Sequence, residues 1–305
     1  MRVIFFGTPS FAAEVLRFLL EKGVEIVAVV SKPDRPQGRA QVLMETPVKT
    51  AARLLCPSIP IYQPDSVSSP EFAHLLQRHK PDLFVVVAYG EILKQHLLDM
   101  PILGCINLHA SLLPKYRGAA PIQRCLIEGV EESGVTIIQM VKKMDAGAMF
   151  EKVRVPVGPD MTFGELEQEL CAVGKQALLK VIRLFMSGKP VGIEQDSTQV
   201  TFAAKIELED CQIDWQQPAQ AIHNLVRGAN PYPGAWCFIQ MRGVQKRLKI
   251  YRTRVVSLAD LQKKEGKRLL VACGESALEI LELQLEGKKR ISSEEWLRSS
   301  IEFCF

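Results

Sequence analysis

Two polar side chains, Asn107 and His109, lie two residues apart in CINLH, a segment predicted to be a short strand. Residues two apart on a strand point to the same face. An amide can donate to an oxygen that becomes negative, and an imidazole can move a proton near neutral pH. The pair therefore suits addition of a nucleophile to a carbonyl. The alternative for an isolated N-x-H triplet is a buried histidine bonded to the backbone beside a capping asparagine.

Two further segments belong to the same chemistry. Asp145, in the turn MDAG between two predicted strands, is one candidate among several for the carboxylate that orients an imidazole. The loop SLLPKYRG at 111–118 places an aromatic ring and two cations just before a helix begins. Such a loop can hold an anionic or flat heteroaromatic ligand, or can be an ordinary solvated connection.

A β-α-β unit is predicted to position these residues. An apolar run at 1–7 ends in Gly7, and Thr8 as a helix N-cap and a proline at the first helical position follow it. Another apolar strand follows at 24–30, and further strands are predicted at 83–88 and 105–109. Ligands bind beyond the carboxyl ends of the strands in such parallel sheets, which is where Asn107 and His109 lie.

The other predicted elements divide the chain into two parts. Helices are predicted at 48–55, 70–79, 119–128 and 162–187, a strand pair at 133–141 and 149–157, and a long loop at 32–49. Beyond residue 205, short strands at 234–241, 245–256, 267–273 and 277–285 surround a helix at 218–227. We therefore predict an α/β domain with a Rossmann-like, mostly parallel sheet at 1–188, a linker at 189–206 and a small β-barrel domain at 207–305.

Composition excludes several classes of protein. The chain has 305 residues, of which 47% are hydrophobic and 24% charged, so a disordered, collagenous or coiled-coil protein is excluded. No apolar stretch reaches the length of a membrane span, and the eight cysteines show no CxxC pair. We expect a soluble, cytoplasmic protein with reduced thiols, no membrane partner and no metal. The net charge of +4 is mild, so a polyanion would have to be held by local patches.

The segment from 107 to 123, NLHASLLPKYRGAAPIQ, resembles the signature of the folate-dependent formyltransferases. The resemblance extends to FFGTPSFA at 5–12, KPDRPQGR at 32–39, VVVAYGEIL at 85–93, GVTIIQM at 134–140, and IDW and ANPYPGAW in the C-terminal part. These flanks are similar to the branch of the family that acts on initiator tRNA. The resemblance implies 10-formyltetrahydrofolate as the co-substrate and the α-amino group of methionine on initiator Met-tRNA as the acceptor. The alternative is a formyltransferase acting on a small-molecule amine.

The resemblance also implies site residues, a monomer and an OB-like C-terminal barrel that binds tRNA. By position, the catalytic residues of the family fall on Asn107, His109 and Asp145. Its folate-binding residues fall on Val87, Ala88, Tyr89, Ser111, Leu112, Leu113 and Pro114. The tRNA-binding candidates are Arg35, Arg39, Lys205, Lys246, Arg247 and Lys249.

The last three of these candidates lie in a run of six cations without an acid at 242–254. If Arg247, Lys249 and Tyr251 face outward, Leu248 and Ile250 face the interior. Such a ridge can neutralise phosphates, or can be only the solvated face of a strand.

Two other function classes stay open on the residues alone. A nucleotide-dependent oxidoreductase shares the β-α-β unit, but FFGTPSFA lacks GxGxxG, and Lys32 or Pro33 stands where an acidic ribose ligand is expected. A non-catalytic RNA-binding module is the other class. Thermal protection by folate, by NADH or by neither distinguishes the three.

Overall fold

The structure is a computed structural model and describes residues 1–37, 41–188, 190–262 and 268–298. The strands up to residue 203 are β1 (Val3–Gly7), β2 (Ile26–Val30), β3 (Arg35–Gln37), β4 (Val42–Met44), β5 (Ile61–Tyr62), β6 (Leu83–Val87), β7 (Cys105–His109), β8 (Arg117–Gly118), β9 (Glu132–Gln139), β10 (Met149–Pro156) and β11 (Phe202–Ala203). The helices of this part are α1 (Ser10–Glu21), α2 (Pro47–Leu55), α3 (Pro70–Gln77), α4 (Gln95–Leu98), α5 (Pro121–Ile127) and α6 (Phe163–Ser187), with a 3-10 turn at Ser197–Gln199.

Seven of these strands form one sheet in the order β10-β9-β7-β6-β1-β2-β5. The pairs β5–β2, β2–β1, β1–β6 and β6–β7 are parallel, whereas β7 and β9 are antiparallel. β1, β6 and most of β2 are buried along their length, as expected for a sheet covered on both faces. The predicted Rossmann-like, mostly parallel sheet is therefore confirmed.

The β-α-β unit forms as predicted, but its cap differs. α1 buries one face, including Val15, Leu16 and Leu19, and Gly23 follows it at φ +75°. The N-cap is Pro9, which makes no side-chain hydrogen bond. The Thr8 hydroxyl instead donates to the Tyr89 carbonyl, 3.1 Å away. The assignment of Thr8 as the cap was wrong because its hydroxyl joins the ends of two neighbouring strands.

The segment predicted as a long loop at 32–49 contains secondary structure. β3 and β4 pair as an antiparallel ribbon, and α2 begins at Pro47 with Thr46 as its cap. Asp34 lies at the base of this segment and accepts from Lys49 and Gln63. Burial opposes ionisation of Asp34, but these hydrogen bonds outweigh it and lower the pKa of the carboxyl below its usual value.

The C-terminal part is built on antiparallel strands. They are β12 (Ala235–Met241), β13 (Val244–Val256), β14 (Leu270–Ala272), β15 (Ala277–Leu285) and β16 (Ile291–Ser292), with α7 (Ala219–Gly228), α8 (Leu258–Gln262), α9 (Ser293–Arg298) and a 3-10 turn at Glu209–Cys211. The pairing order is β12-β13-β15-β14, with β16 on β15. Trp236, Leu248, Ile250, Ile280 and Leu283 belong to its buried core. The prediction of short strands forming a small β domain in the C-terminal part is confirmed, and these strands pair antiparallel.

Contacts divide the chain into two compact units that do not follow a single cut. The first comprises 1–119, 133–155 and 167–203, and the second comprises 120–132, 156–166 and the residues from 204 onward. Residues 190–203, part of the predicted linker, belong to the first unit. Within the described residues, no helix combines the length and the apolar character needed to cross a membrane.

Candidate active site

A cavity of ≈580 Å³ lies where the order of the parallel strands reverses, on either side of β1. β1 is flanked by β2 on one side and by β6 on the other, and the crevice between such strand ends is the usual ligand site of this architecture. The cavity is lined by residues that follow these strands and by residues of the ribbon and of the start of α2, namely Thr8, Pro9, Ser10, Lys32, Pro33, Arg35, Met44, Thr46, Pro47, Ala88, Tyr89 and Gly90.

Asn107 and His109 lie on β7, which pairs in parallel with β6 and antiparallel with β9. Asn107 is half-buried, and no hydrogen bond joins its side chain to another residue of the described chain. His109 is 5% exposed, and its Nε2 lies 2.8 Å from the Tyr116 carbonyl oxygen. Because a carbonyl only accepts, Nε2 is the nitrogen that carries the proton. The Nδ1 atom is therefore the basic nitrogen of the neutral ring.

The Nδ1 atom of His109 faces the carboxylate of Asp145, with 3.7 Å between Nδ1 and Oδ2. The same Oδ2 accepts a hydrogen bond of 2.8 Å from the Gly118 backbone N–H. Asp145 has φ +50°, a left-handed conformation that aspartate tolerates better than most residues. A water molecule or an amine lying off the line between the two groups can contact both. The structure thus brings His109 and Asp145 together, with Asn107 on the same strand.

The anchors of this pair are backbone groups that the sequence analysis did not identify. The Tyr116 carbonyl holds the imidazole, and the Gly118 N–H holds the carboxylate. Both belong to the loop at 111–118 that follows β7. Backbone groups are the same in every residue type, so the sequence cannot single them out. The only indication was that this loop directly follows the strand that carries His109.

The loop residues assigned to folate binding are mostly buried and bonded to the protein. The Ser111 hydroxyl donates to the Lys115 carbonyl, and Lys152 donates to the Leu113 carbonyl. The Thr136 hydroxyl donates to the Ser111 carbonyl and accepts from the Leu113 N–H. In this turn, Leu112 is half-buried, while Ser111, Leu113 and Pro114 are buried.

The strand end assigned to folate binding reaches the cavity. Val87 is the last residue of β6 and is fully buried, whereas Ala88 is exposed at φ +45°. Tyr89 is buried with its ring edge-on to Phe6. Its hydroxyl is buried without a hydrogen-bond partner in the described chain. Burial raises the pKa of this phenol, so the hydroxyl stays protonated.

Three of the candidate tRNA-binding residues come from the segment at 32–49 and from the predicted linker. Arg35 is exposed and lines the cavity, whereas Arg39 lies outside the described residues. Lys205 is exposed and donates to Glu207, its neighbour two positions on. Arg35 and Lys205 fall in different units.

On β13, the cations largely face internal partners. Lys246 lies 3.3 Å from Glu286, Lys249 donates to the Pro233 carbonyl at 2.6 Å, and the Arg247 guanidinium stacks over Trp236, 4.4 Å from the ring centre. Leu248 and Ile250 are fully buried, as predicted.

Tyr251 was predicted to face outward, and this was wrong. It is 7% exposed, and its hydroxyl donates to Gln284. The pairing of β13 with β15 shifts register between Ile250 and Arg252, and such an irregularity breaks the alternation of faces.

His223, on α7, is buried and 5% exposed. Its Nε2 bonds the Pro159 carbonyl and its Nδ1 bonds the Thr253 hydroxyl. Burial lowers the pKa of this imidazole, which therefore stays neutral near pH 7. No group of three or more His, Cys, Asp or Glu side chains suited to a metal ion occurs in the described parts of the chain.

Comparison with known proteins places this geometry in one family. Residues 1–182 match the family model described as "Formyl transferase", and residues 205–300 match "Formyl transferase, C-terminal domain". The chain is 60% identical over 304 residues to the "Methionyl-tRNA formyltransferase" of Protochlamydia amoebophila (strain UWE25), covering 98% of this chain and 95% of that protein.

Two solved structures share the fold at lower identity. HypX from Aquifex aeolicus, in complex with tetrahydrofolic acid, aligns with a TM-score of 0.66 at 16% identity over 97% of this chain. This chain spans about half of HypX, 47% of its length. WlaRD, a sugar 3N-formyl transferase crystallised in the presence of dTDP and 5-N-formyl-THF, aligns with a TM-score of 0.66 at 17% identity, covering 95% of this chain and 99% of that one.

Proposed function

The chain belongs to the formyltransferase family, and we propose that it transfers the formyl group of 10-formyltetrahydrofolate to the α-amino group of methionine on initiator Met-tRNA. The observation that carries the proposal is the 60% identity, over nearly the full length of both chains, to a protein named for this reaction. The presence of both Asn107 and a His109–Asp145 pair at the end of β7 supports it.

The proposed chemistry joins the amine nitrogen to the formyl carbon and breaks the bond between that carbon and N10 of the folate. The Asn107 amide makes no hydrogen bond with a described residue. It donates to the formyl oxygen as that oxygen becomes negative. The proton on the attacking amine must leave, and the bond to N10 breaks more easily as N10 gains a proton. Asp145 and Nδ1 of His109, 3.7 Å apart, are the acceptor groups beside this path.

The geometry refines how the imidazole is held. The Tyr116 carbonyl fixes the ring through Nε2, so Asp145 does not have to orient it. Asp145 is itself held by the Gly118 N–H. We infer that Asp145 acts on the proton of the amine, directly or through a water molecule, with His109 as its neighbour in the same proton path.

The co-substrate and the RNA are assigned to separate groups of residues. The folate is proposed to bind along the end of β6 and the turn after β7, at Val87, Ala88, Tyr89, Ser111, Leu112, Leu113 and Pro114. Because three residues of that turn are buried and bonded, their contribution is the shape of the wall and its backbone, and Leu112 and Ala88 are the more accessible contacts. The RNA is proposed to meet Arg35, Arg39, Lys205, Lys246, Arg247 and Lys249. A monomer in the cytoplasm is the proposed working form.

The deciding experiment is incubation of the full chain with 10-formyltetrahydrofolate and charged initiator Met-tRNA, with formyl-methionine measured after release from the tRNA. We expect rapid formylation of the initiator and much slower formylation of elongator Met-tRNA. Asp145→Asn, which keeps the shape of the side chain and removes its charge, is the matched control and should react much more slowly.

Two outcomes would redirect the assignment. Folate binding without formylation of the initiator would overturn the acceptor, and parallel reactions with an amino-sugar nucleotide and with glycinamide ribonucleotide would then test a small-molecule amine. Thermal protection by NADH but not by folate would overturn the family chemistry.

A further inference from the structure

A strap of residues 193–203, all of which lie in the predicted linker, is bonded to the turn that carries Asp145 and to the loop at 111–118 that anchors His109. The strap begins with a bridge between Ile193 and Met149 and ends where β11 pairs in parallel with β8. Between these points lie Gln195, the 3-10 turn at Ser197–Gln199 and Thr201. All of these residues belong to the first compact unit.

Gln195 is bonded through every polar atom of its side chain. Its Nε2 donates to the Asp145 carbonyl at 2.7 Å and to the Gly147 carbonyl at 2.8 Å. Its Oε1 accepts from Nε of Arg117 at 3.1 Å and from Nη2 at 2.7 Å. One amide therefore ties the turn that carries Asp145 to the loop that follows β7.

The turn needs such an external tie. Asp145 is in the left-handed conformation at φ +50°, which is less favourable for aspartate than for glycine, although aspartate tolerates it better than most residues. A Cβ on Gly147 would lie 1.9 Å from the Gln139 carbonyl oxygen, so the turn also packs closely against β9. The carbonyls of Asp145 and Gly147, both in this segment, are the ones that accept from the Gln195 amide.

The other end of the strap holds the anchor of the imidazole. The Tyr116 N–H donates to the Thr201 hydroxyl at 2.9 Å, and the Arg117 N–H donates to the Thr201 carbonyl at 2.9 Å. Tyr116 is the residue whose carbonyl accepts from Nε2 of His109. Gly118, whose N–H holds Asp145, pairs with Ala203 of the strap.

We propose that the strap is the positioning element of the reaction, with Gln195 as a positioning residue that sets Asp145 at its distance from His109. Neither Gln195 nor Thr201 touches the reacting groups; both act through the residues that do. This inference rests on the proposed function, because the distance matters only if His109 and Asp145 share a proton path. A displacement of about 1 Å at such a site can cost about 100-fold in rate.

The test is a double-mutant cycle on single-turnover formyl transfer. Gln195→Ala is expected to lower the rate about 10- to 100-fold, with the KM for folate and for Met-tRNA changed by less than about twofold. Gln195→Glu keeps an acceptor for Arg117 but loses both donors to the turn, and we expect a comparable loss. In the Asp145→Asn background, Gln195→Ala is expected to remove less than about threefold more, because the residue through which it acts has already lost its role.

Two controls separate positioning from general damage. Gln199→Ala removes an exposed amide of the same strap that donates within the strap, to Asp196, and should leave the rate unchanged. Thr201→Val should slow the reaction and Thr201→Ser should restore it, since only the hydroxyl receives the Tyr116 N–H.

Amide hydrogen exchange gives a readout that does not depend on activity. Gln195→Ala should speed exchange at Gly118, whose N–H is protected by the Asp145 carboxylate. An unchanged rate in Gln195→Ala, or an equal loss in the Asp145→Asn background, would overturn the positioning role. Unchanged exchange at Gly118 would overturn the anchoring on which it depends. Failure of the unmodified protein to formylate Met-tRNA would instead overturn the proposed function, while the exchange result would still decide whether Gln195 holds the turn.

Discussion

On β7 the Asn107 amide and Nδ1 of His109 make no hydrogen bond with a described residue, whereas the long cations of β13 are engaged with other parts of their own unit. Arg252 lies 2.5 Å from Glu165, Lys249 donates to Pro233, and Arg254 lies 3.6 Å from Glu279. The first region keeps polar atoms available for a ligand, and the second uses them to stabilise its own fold.

Polar residues that look alike in a sequence can differ in whether their polar atoms already have partners within the protein. A free donor beside a held base is ready for a reaction without rearrangement. A cation with an internal partner must exchange that partner for a phosphate, so part of its attraction to RNA is offset. Substitutions in the first region should therefore lower the rate of reaction, and substitutions in the second should lower the stability of the fold.

The largest effect is expected for Asn107→Ala. We expect formyl transfer to slow by about 10² to 10³-fold, which is the usual cost of removing one hydrogen-bond donor to a developing oxyanion. The melting temperature should change little, since no internal hydrogen bond of the side chain is lost. Single-turnover rates measured beside thermal unfolding check this, and Gln95→Ala, an exposed amide elsewhere, serves as the control. A large loss of stability without a loss of rate would erase the contrast between the two regions.

A smaller effect, on stability and not on rate, is expected for Lys249→Met. The substitution keeps most of the aliphatic chain and removes the donor to the Pro233 carbonyl, so we expect a loss of about 1.5 kcal/mol in the free energy of unfolding. Single-turnover formyl transfer at saturating tRNA should stay near that of the unmodified protein. Urea unfolding followed at two wavelengths measures the first quantity. Unchanged stability with markedly weaker tRNA binding would show that Lys249 is available to RNA after all.

A pH effect is expected at Glu279, on β15. The side-chain hydrogen bond from Arg268 lowers the pKa of this carboxyl below its usual value. The stabilisation is therefore present above the unfolded pKa, near 4.5, and is lost as the pH falls through the lower folded value. Glu279→Gln should show a smaller loss of unfolding free energy between about pH 6 and pH 3. Identical pH curves for the two proteins would mean that the bond contributes nothing.

The smallest effect is expected for Lys246→Ala. Its pair with Glu286 is partly exposed, and such pairs contribute about 0–1 kcal/mol, so stability should barely change. If the RNA displaces Glu286, the slope of log affinity against log salt should fall by about one unit. Filter binding of Met-tRNA at several salt concentrations measures the slope, with Lys288→Ala as the neighbouring control. A slope that does not move would remove Lys246 from the RNA interface.

The elements with strong local signals could be predicted from sequence. β7 was predicted to the residue, β15 likewise, and α6 to within one residue of its start, with Gly188 following it at φ +149°. Apolar periodicity and a terminating glycine are properties of neighbouring residues, so they can be read without the fold. The motif that carries Asn107 and His109 is of the same local kind.

What escaped prediction depends on contacts between distant residues. The Thr8 hydroxyl could cap a helix or reach Tyr89, 81 positions away, and only the sheet decides. Tyr251 follows the alternation of β13 until a register shift buries it. His223 lies on a helix whose neighbours, Pro159 and Thr253, come from separate segments. Gln195 stood in a polar run and gave no sign that its amide holds a turn 50 residues earlier.

Gly118 shows how little freedom one position can retain. Its φ is +125°, its N–H holds the Asp145 carboxylate, and a Cβ built on it would come within 2.6 Å of the Ala203 carbonyl oxygen. A single added methyl group would have to push the strap away or pull the amide from its acceptor. Loss of activity from so slight a chemical change would leave every reactive side chain in place, and a survey confined to those side chains would overlook its origin.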